Sequence, residues 1–258
     1  MSDPAAQREK RAPVVSRPAA TILLVRDDPF ELLMVRRHQD QFFSSALVFP
    51  GGMVDDSDRT EDWDALVDDA EGLTREQRAL RIAGFRETFE ETGILLARDK
   101  DGRCVPAVAA ADEPFIDIVR RSGGRLDLSD LVPFGHWITP DISPKRFDTH
   151  FFLCRTAPDQ VAVCDGSEAV ALEWATPGDI LARAAAGERA ILFPTRLNID
   201  RLAQSADAES AIAAARARPV FTVAPRIERR PEGIAVVIPA EAGYCDTENF
   251  HPHEHMTR

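Results

Sequence analysis

Between Thr74 and Gly93 the chain carries the start and stop signals of one helix, and the last two turns hold more charge than a helix face accommodates unaided. Thr74-Arg75-Glu76-Gln77 is a capping box, and Gly93 stands where a left-handed residue closes a helix. The end of this span reads Arg86-Glu87-Thr88-Phe89-Glu90-Glu91-Thr92-Gly93-Ile94. At ~100° per residue, with Arg86 at zero, Glu90 falls at about 40°, Glu87 at about 100° and Glu91 at about 140°. Ile82, Phe89 and Phe85 fall at about −40°, −60° and −100°. One face is therefore apolar and packs, while its neighbour gathers carboxylates. Glu87 and Glu91, one turn apart with like charge, destabilise the helix by roughly 0.2–0.5 kcal/mol. Glu90 has a local partner in Arg86. A solvated helix face explains this poorly, whereas a hard divalent cation resolves it.

Upstream, the strand-like Ala46-Leu47-Val48 runs into Phe49-Pro50-Gly51-Gly52. Paired glycines permit a sharp turn and a close backbone approach to a ligand. With the order Arg-Glu-apolar-x-Glu-Glu-x-Gly-apolar downstream, the two segments resemble the halves of the Nudix hydrolase signature, Thr88 occupying a position usually held by an aliphatic. In that signature a glutamate follows six residues after the second glycine and the arginine comes soon after. Here the sixth residue after Gly52 is Asp58, and 27 residues, Arg59 to Phe85, precede Arg86. The first signature glutamate is thus unassigned, with Asp58, Glu71 and Glu76 as candidates. The insertion, about 55–73, holds nine carboxylates against one arginine between Asp55 and Glu71, with Trp63, Leu66 and Val67 as apolar anchors. It reads as a solvated loop or short helix without a catalytic part, removable without disturbing the cation site.

A chain of 258 residues with 44% hydrophobic and 29% charged residues has the composition of a soluble globular protein. Its net charge of −12 and the lack of a basic run argue against nucleic-acid binding. No apolar run is long enough to span a membrane. The four cysteines lack metal-type spacing, and with no secretory signal they read as reduced thiols of a cytoplasmic protein. The terminal residues match no peroxisomal or retention address. His251, His253 and His255 alternate near the end, a pattern that can bind Zn²⁺ or Ni²⁺ but here reads as a polar tail.

Strands are expected at 20–25 and 31–36 around Asp27-Asp28-Pro29, at 46–49, and again at 132–138, 147–155 and 169–174. Helices are expected at 114–121, 177–186 and 206–218, followed by strand-like runs at 220–223 and 234–238. This order suits an α/β fold, a mixed sheet with helices on both faces, which is the α/β/α sandwich that the Nudix resemblance implies. The division is a flexible lead (1–17), a Nudix domain (18–200) with its box insertion, and a C-terminal extension (201–258). The tail strands either cover a sheet edge or form a homodimer contact.

A second cluster narrows the branch. Trp137-Ile138-Thr139-Pro140 precedes Ser143-Pro144-Lys145-Arg146-Phe147-Asp148-Thr149-His150-Phe151-Phe152, a stiff loop entering a strand with Arg146, Asp148 and His150 on one side by alternation. With the interrupted box and Arg81-Ile82-Ala83, this is similar to the mammalian peroxisomal CoA-diphosphatase-like Nudix proteins, over roughly residues 18 to 200. The resemblance implies a metal-dependent hydrolase, using Mg²⁺ or Mn²⁺, that cleaves the pyrophosphate of a nucleotide-containing small molecule. Glu87, Glu90, Glu91 and the Gly52 carbonyl are the implied metal ligands. Arg86 orients a glutamate, Glu87 is the favoured general base, and Glu168 (with Glu173 behind it) is the downstream alternative. CoA or acyl-CoA is the first substrate reading, with Arg36, Arg37, Lys145 and Arg146 available for its 3′-phosphate and Arg146 the first choice, held by the stiff Ser143-Pro144 entry. Equally, these are strand-edge charges. ADP-ribose, NADH-like dinucleotides or nucleoside triphosphates are the second reading, and a non-catalytic nucleotide-binding module is the third. The intact Glu87, Glu90 and Glu91 argue against the third.

Overall fold

From Ala19 to Val25 only Thr21 is polar, so a strand formed there has to be covered on both faces. The computed structural model, which describes residues 14–37, 46–106, 113–164 and 169–253, places this run in the middle of β1 (Arg17–Arg26). Ala20, Ile22 and Leu24 face one core, and Leu23 and Val25 face another. β2 (Glu31–Arg37), β3 (Leu47–Val48) and β4 (Gly51–Met53) follow. Beyond the insertion, with its short β5 (Val67–Asp68), comes the signature helix α1 (Arg75–Thr92). Next are β6 (Ala97–Arg98), α2 (Phe115–Ser122), β7 (Arg125–Asp127) and the strands β8 (Val132–Ile138), β9 (Phe147–Arg155) and β10 (Ala169–Ala175). Helices α3 (Pro177–Ala185), α4 (Phe193–Leu202) and α5 (Ala208–Ala217) precede β11 (Thr222–Val223), β12 (Arg226–Arg230), β13 (Gly233–Val237) and β14 (Glu248–Pro252).

The main sheet runs β10-β2-β1-β9-β8-β11, with β3 on β2 and β4 on β1. β9 lies parallel to β1 and β11 parallel to β8, against antiparallel neighbours elsewhere, so the sheet is mixed. One core gathers α1 and α2 residues with Trp63, and the other gathers α4 and α5 residues with Trp137. This is the expected α/β/α sandwich. β11 covers part of the β8 edge, and β12, β13 and β14 form a separate antiparallel sheet. Among the described residues the cysteines are free thiols, and no helix is long and apolar enough to cross a membrane. The proposed lead lies mostly outside the described residues.

One topological detail aims the site. β1 and β2 pair at their hairpin end, Val25 with Leu32 and Arg26 with Glu31. Beyond it they part, and the segment from Leu47 to Met53 fills the gap, β3 on β2 and β4 on β1. The Pro50 carbonyl accepts from the Ile22 amide at 2.9 Å, which pins Gly51 and Gly52 beneath α1. That helix starts at the Thr74–Gln77 capping box and stops at Gly93 (φ 69°), as its sequence predicts.

The insertion has the short helical turns and the Trp63 anchor expected of it, but it is packed rather than solvated. It folds into two short 3₁₀ turns (Asp56–Arg59 and Glu61–Ala65) and β5, which pairs with β7. Trp63 is 2% exposed, lies 5.7 Å from the Phe115 ring and donates its indole N–H to the Ser57 carbonyl. Phe115 in turn meets Phe89 of α1 at 5.7 Å. Apart from the buried Asp58 the carboxylates of the segment are exposed, and Trp63 anchors it as one large aromatic. Also unexpected is α4, where Pro194 stands in the first turn and few apolar residues recur. The charged β12 gives little strand signal of its own and is held by pairing with β13.

Because Trp63 is a core residue, Trp63→Ala is expected to lower unfolding free energy by about 3–5 kcal/mol. Chemical denaturation checks this. A change below about 1 kcal/mol would restore the solvated-loop reading of the insertion.

Candidate active site

Gly51 and Gly52 are required by close approach. A Cβ on Gly51 would stand 2.4 Å from the Ala20 carbonyl oxygen, and one on Gly52 would stand 2.4 Å from the Glu87 carboxylate. The Glu87 side chain of α1 therefore rests directly on the backbone of β4. One turn later, Glu91 is 2% exposed and accepts from the Gly51 amide at 3.0 Å. Glu90 lies half exposed at the outer side of the same face. Glu87 and Glu91 thus meet the Gly51-Gly52 turn, and Glu90 is tied to them through Arg86.

Arg86 is the hub of this face. Its Nε and one terminal nitrogen grip Asp58, each at 2.9 Å, and the latter also donates to the Met53 carbonyl at 2.9 Å. The other terminal nitrogen reaches Glu87 at 2.8 Å and Glu90 at 2.9 Å. Burial alone would push the guanidinium pKa down. The hydrogen bond and charge of Asp58, with those of Glu87 and Glu90, outweigh it and drive the value above the usual arginine range. The cation is locked in place.

Asp58 has no exposed surface, and its Oδ2 also accepts from the Asp55 amide at 2.8 Å. A buried carboxylate is tolerable when its lone pairs are filled by a cation and backbone amides. Among the three acids that sequence spacing left open, Asp58 is the one bound to the signature arginine. The signal was present in its spacing from Gly52, but the shorter side chain and the long interval to Arg86 obscured it.

The other sequence-selected residues are dispersed. Arg146 donates to the carbonyls of Thr139 (3.0 Å) and Val14 (2.7 Å) and pairs with Asp141, so it ties the Pro140–Pro144 loop to β1's entry. Lys145 is exposed on that loop. Arg36 is exposed on β2, and Arg37 ends that strand, paired in register with Ala169. Glu168 lies outside the described residues. Glu173 pairs with Arg183. Asp148 and His150 do share one side of β9, and burial followed by the charge of His136 pushes the His150 imidazole down to about 4, against the pull of Asp148.

The donor set suits a hard divalent cation. It consists of carboxylate oxygens on successive turns above a backbone stretch bare of side chains, with Arg86 restraining two of the acids. Thr88, at the position where an aliphatic is usual, is fully buried and its Oγ1 has no hydrogen-bond partner among the described residues. Thr88→Val removes that orphaned hydroxyl at nearly constant volume and is expected to raise stability by about 1 kcal/mol. A loss of stability in thermal or denaturant melts would show instead that the hydroxyl is satisfied.

A family model for the NUDT19 Nudix domain matches residues 69–202, just over half of the chain. The acyl-coenzyme A diphosphatases NUDT19 of Xenopus laevis and Homo sapiens are 27% and 28% identical over 205 and 220 residues. Those matches cover 59% and 64% of this chain, and 54% and 59% of the relatives, so the chain spans little more than half of their length. A Nudix hydrolase of known structure from Alicyclobacillus acidocaldarius superposes with a TM-score of 0.66 at 32% identity, over 78% of this chain and 97% of that one. With the interrupted signature reassembled around Arg86, these similarities place the chain in the Nudix hydrolase family, in the branch defined by the NUDT19 Nudix domain.

Proposed function

We propose that this chain is a metal-dependent diphosphatase that cleaves the pyrophosphate of CoA or acyl-CoA, giving 3′,5′-ADP and (acyl-)4′-phosphopantetheine. The observation that carries the reading is the Asp58–Arg86 clamp, which closes the signature around Glu87, Glu90 and Glu91 despite the insertion. The named activity of the NUDT19 relatives supports the choice of substrate.

In this reading Glu87, Glu90, Glu91 and the Gly52 carbonyl hold the cation. A bound Mg²⁺ or Mn²⁺ supplies charge neutralisation at the pyrophosphate and a more acidic water. Glu91 is fixed for its role by the Gly51 amide, and Arg86 keeps Glu87 and Glu90 from swinging away when the site is empty of substrate. Glu87, set against the Gly52 backbone, takes the proton of the attacking water, with Glu168 as the alternative base. Arg146, whose three nitrogens are engaged within the protein, shapes the loop that presents Lys145. Lys145 and Arg37 are then the cations offered to the CoA 3′-phosphate.

Three expectations follow from these roles. Release of phosphate-bearing products requires Mg²⁺ or Mn²⁺, and Glu90→Gln lowers kcat by about a hundredfold or more without unfolding the chain. Full activity in excess chelator would sink the metal assignment. Asp58→Asn leaves a weakened partner for Arg86 and is expected to lower stability by roughly 1.5–3 kcal/mol and to weaken Mn²⁺ binding measured by calorimetry. Unchanged affinity would mean that the clamp does not organise the ligands.

Substrate class is decided by rates on CoA, acetyl-CoA, dephospho-CoA, ADP-ribose and NADH. CoA is expected to lead, and Lys145→Ala to erase a preference over dephospho-CoA of about 10- to 100-fold. ADP-ribose or NADH turning over well above CoA would replace the CoA reading with a dinucleotide or nucleotide-sugar one. Binding without turnover of any of them would favour the non-catalytic module.

A further inference from the structure

Away from the glutamates, two imidazoles and a carboxylate converge on the adjacent antiparallel strands β8 and β9. His136 and His150 are direct partners in the register, and their rings stack with centroids 4.0 Å apart at 19°. Asp148 precedes His150 by two residues and so shares its face. Its Oδ1 lies 2.5 Å from His136 Nε2 and 3.8 Å from His150 Nε2. One nitrogen or oxygen from each of the three residues can be chosen so that all lie within 4.8 Å of one another.

Hydrogen bonding accounts for only part of this arrangement. One proton shared between His136 Nε2 and Asp148 satisfies that pair, but at 3.8 Å His150 is too far from the same oxygen for a hydrogen bond. Among the described residues no hydrogen bond reaches a ring nitrogen of His150, whose ring lies nearly parallel to those of His136 and, at 6.4 Å, Phe152. A further support comes from β11. Its Thr222 is the register partner of His136 and puts its Oγ1 2.8 Å from His136 Nδ1. A metal-bound histidine characteristically gives its second ring nitrogen to such a partner, which fixes the ring and the tautomer.

We infer that His136, Asp148 and His150 form a second cation site, of the two-histidine, one-carboxylate kind, for a borderline divalent ion such as Zn²⁺, Co²⁺ or Fe²⁺. Bonds near 2.0–2.1 Å put tetrahedral donors about 3.3 Å apart, so small side-chain rotations bring the three into place. Imidazole donors select these ions over Mg²⁺. Arg81 of α1, 5.1 Å over the Phe152 ring, contributes a positive field here. Charge attraction is therefore weak, and nitrogen coordination has to supply the affinity. All three ligands are partly exposed, which leaves room for water or a substrate oxygen in the remaining positions.

The site is distinct from the signature carboxylates but shares their face. His150 pairs with Ala20 of β1, which pairs in turn with Gly52 of β4. Two strand spacings, about 10 Å, separate the His150 and Gly52 backbones. Gly84 of α1 packs over the Ala20 side chain, so the helix spans the interval between the two sites.

The test is a Co²⁺ titration of the full chain in saturating Mg²⁺, followed by visible absorption, with Zn²⁺ as competitor. One equivalent of Co²⁺ displaced by Zn²⁺ is expected, with affinity reduced roughly tenfold in Thr222→Val and more in His136→Ala and His150→Ala. A His251→Ala/His253→Ala/His255→Ala chain, which removes the alternating tail histidines, is expected to bind as before. Binding that survives His150→Ala, or that vanishes with the tail histidines, overturns the assignment. Because a histidine variant can misfold, the unaltered chain supplies a second readout. Zn²⁺ is expected to shift the ring resonances of His136 and His150 in NMR spectra and to raise Tm. Unmoved imidazole resonances would also overturn the site.

Discussion

Asp58 is fully enclosed, and an ionised carboxylate in that position is destabilising by several kcal/mol unless cations and amides fill its lone pairs. The Arg86 guanidinium and the Asp55 amide do so, and the consequences spread outward. Because Arg86 is held on one side by Asp58 and the Met53 carbonyl, its remaining nitrogen is directed at Glu87 and Glu90. The charge repulsion among crowded acids that marked this helix in the sequence is thereby relieved before any metal binds. A lysine could not do the same, since its single ammonium lacks the fork that reaches several oxygens at once.

The glycines complete the arrangement by subtraction. β1 and β2 diverge past their hairpin, and a segment of two short strands enters the gap with its backbone close to both Ala20 and Glu87. A side chain at Gly52 would fill the space that the Glu87 carboxylate occupies, and one at Gly51 would strike the β1 backbone at Ala20 and Thr21. The amide of Gly51 then becomes a donor for the buried Glu91. Backbone and helix thus fix one another: the turn orients two acids, and the acids hold the turn.

Much of this was legible from residue order. The capping box, Gly93, the two-faced helix and the strands on either side of Asp27-Asp28-Pro29 follow local rules that tertiary packing did not overrule. The sandwich followed from the order of strands and helices and from the resemblance carried by the signature helix. What local rules concealed were contacts made across the chain. Asp58 is an ordinary acidic residue until Arg86 is beside it. The insertion reads as solvated because nine carboxylates dominate its composition, yet Trp63 packs it once it reaches Phe115. Arg146 reads as a free cation until Thr139, Val14 and Asp141 take up its nitrogens. His136 and Asp148, 12 residues apart on neighbouring strands, meet only through strand register.

Where the insertion enters and leaves explains why the signature survives it. Arg75 in the first turn of α1 donates to the Arg59 carbonyl, and Arg78 one turn later donates to the Thr60 carbonyl and pairs with Asp64. The two ends of the excursion therefore lie side by side, directly after Asp58 and directly before the helix that carries Arg86. A segment with adjoining ends adds little to the cost of closure, about 0.6 kcal/mol for each doubling of its length. Burial of Trp63 and the β5–β7 pairing offset more than that. The interval between Asp58 and Arg86 is long along the chain and short in space. What the site requires is the bidentate contact between them, and an insertion closed at its neck leaves that contact intact.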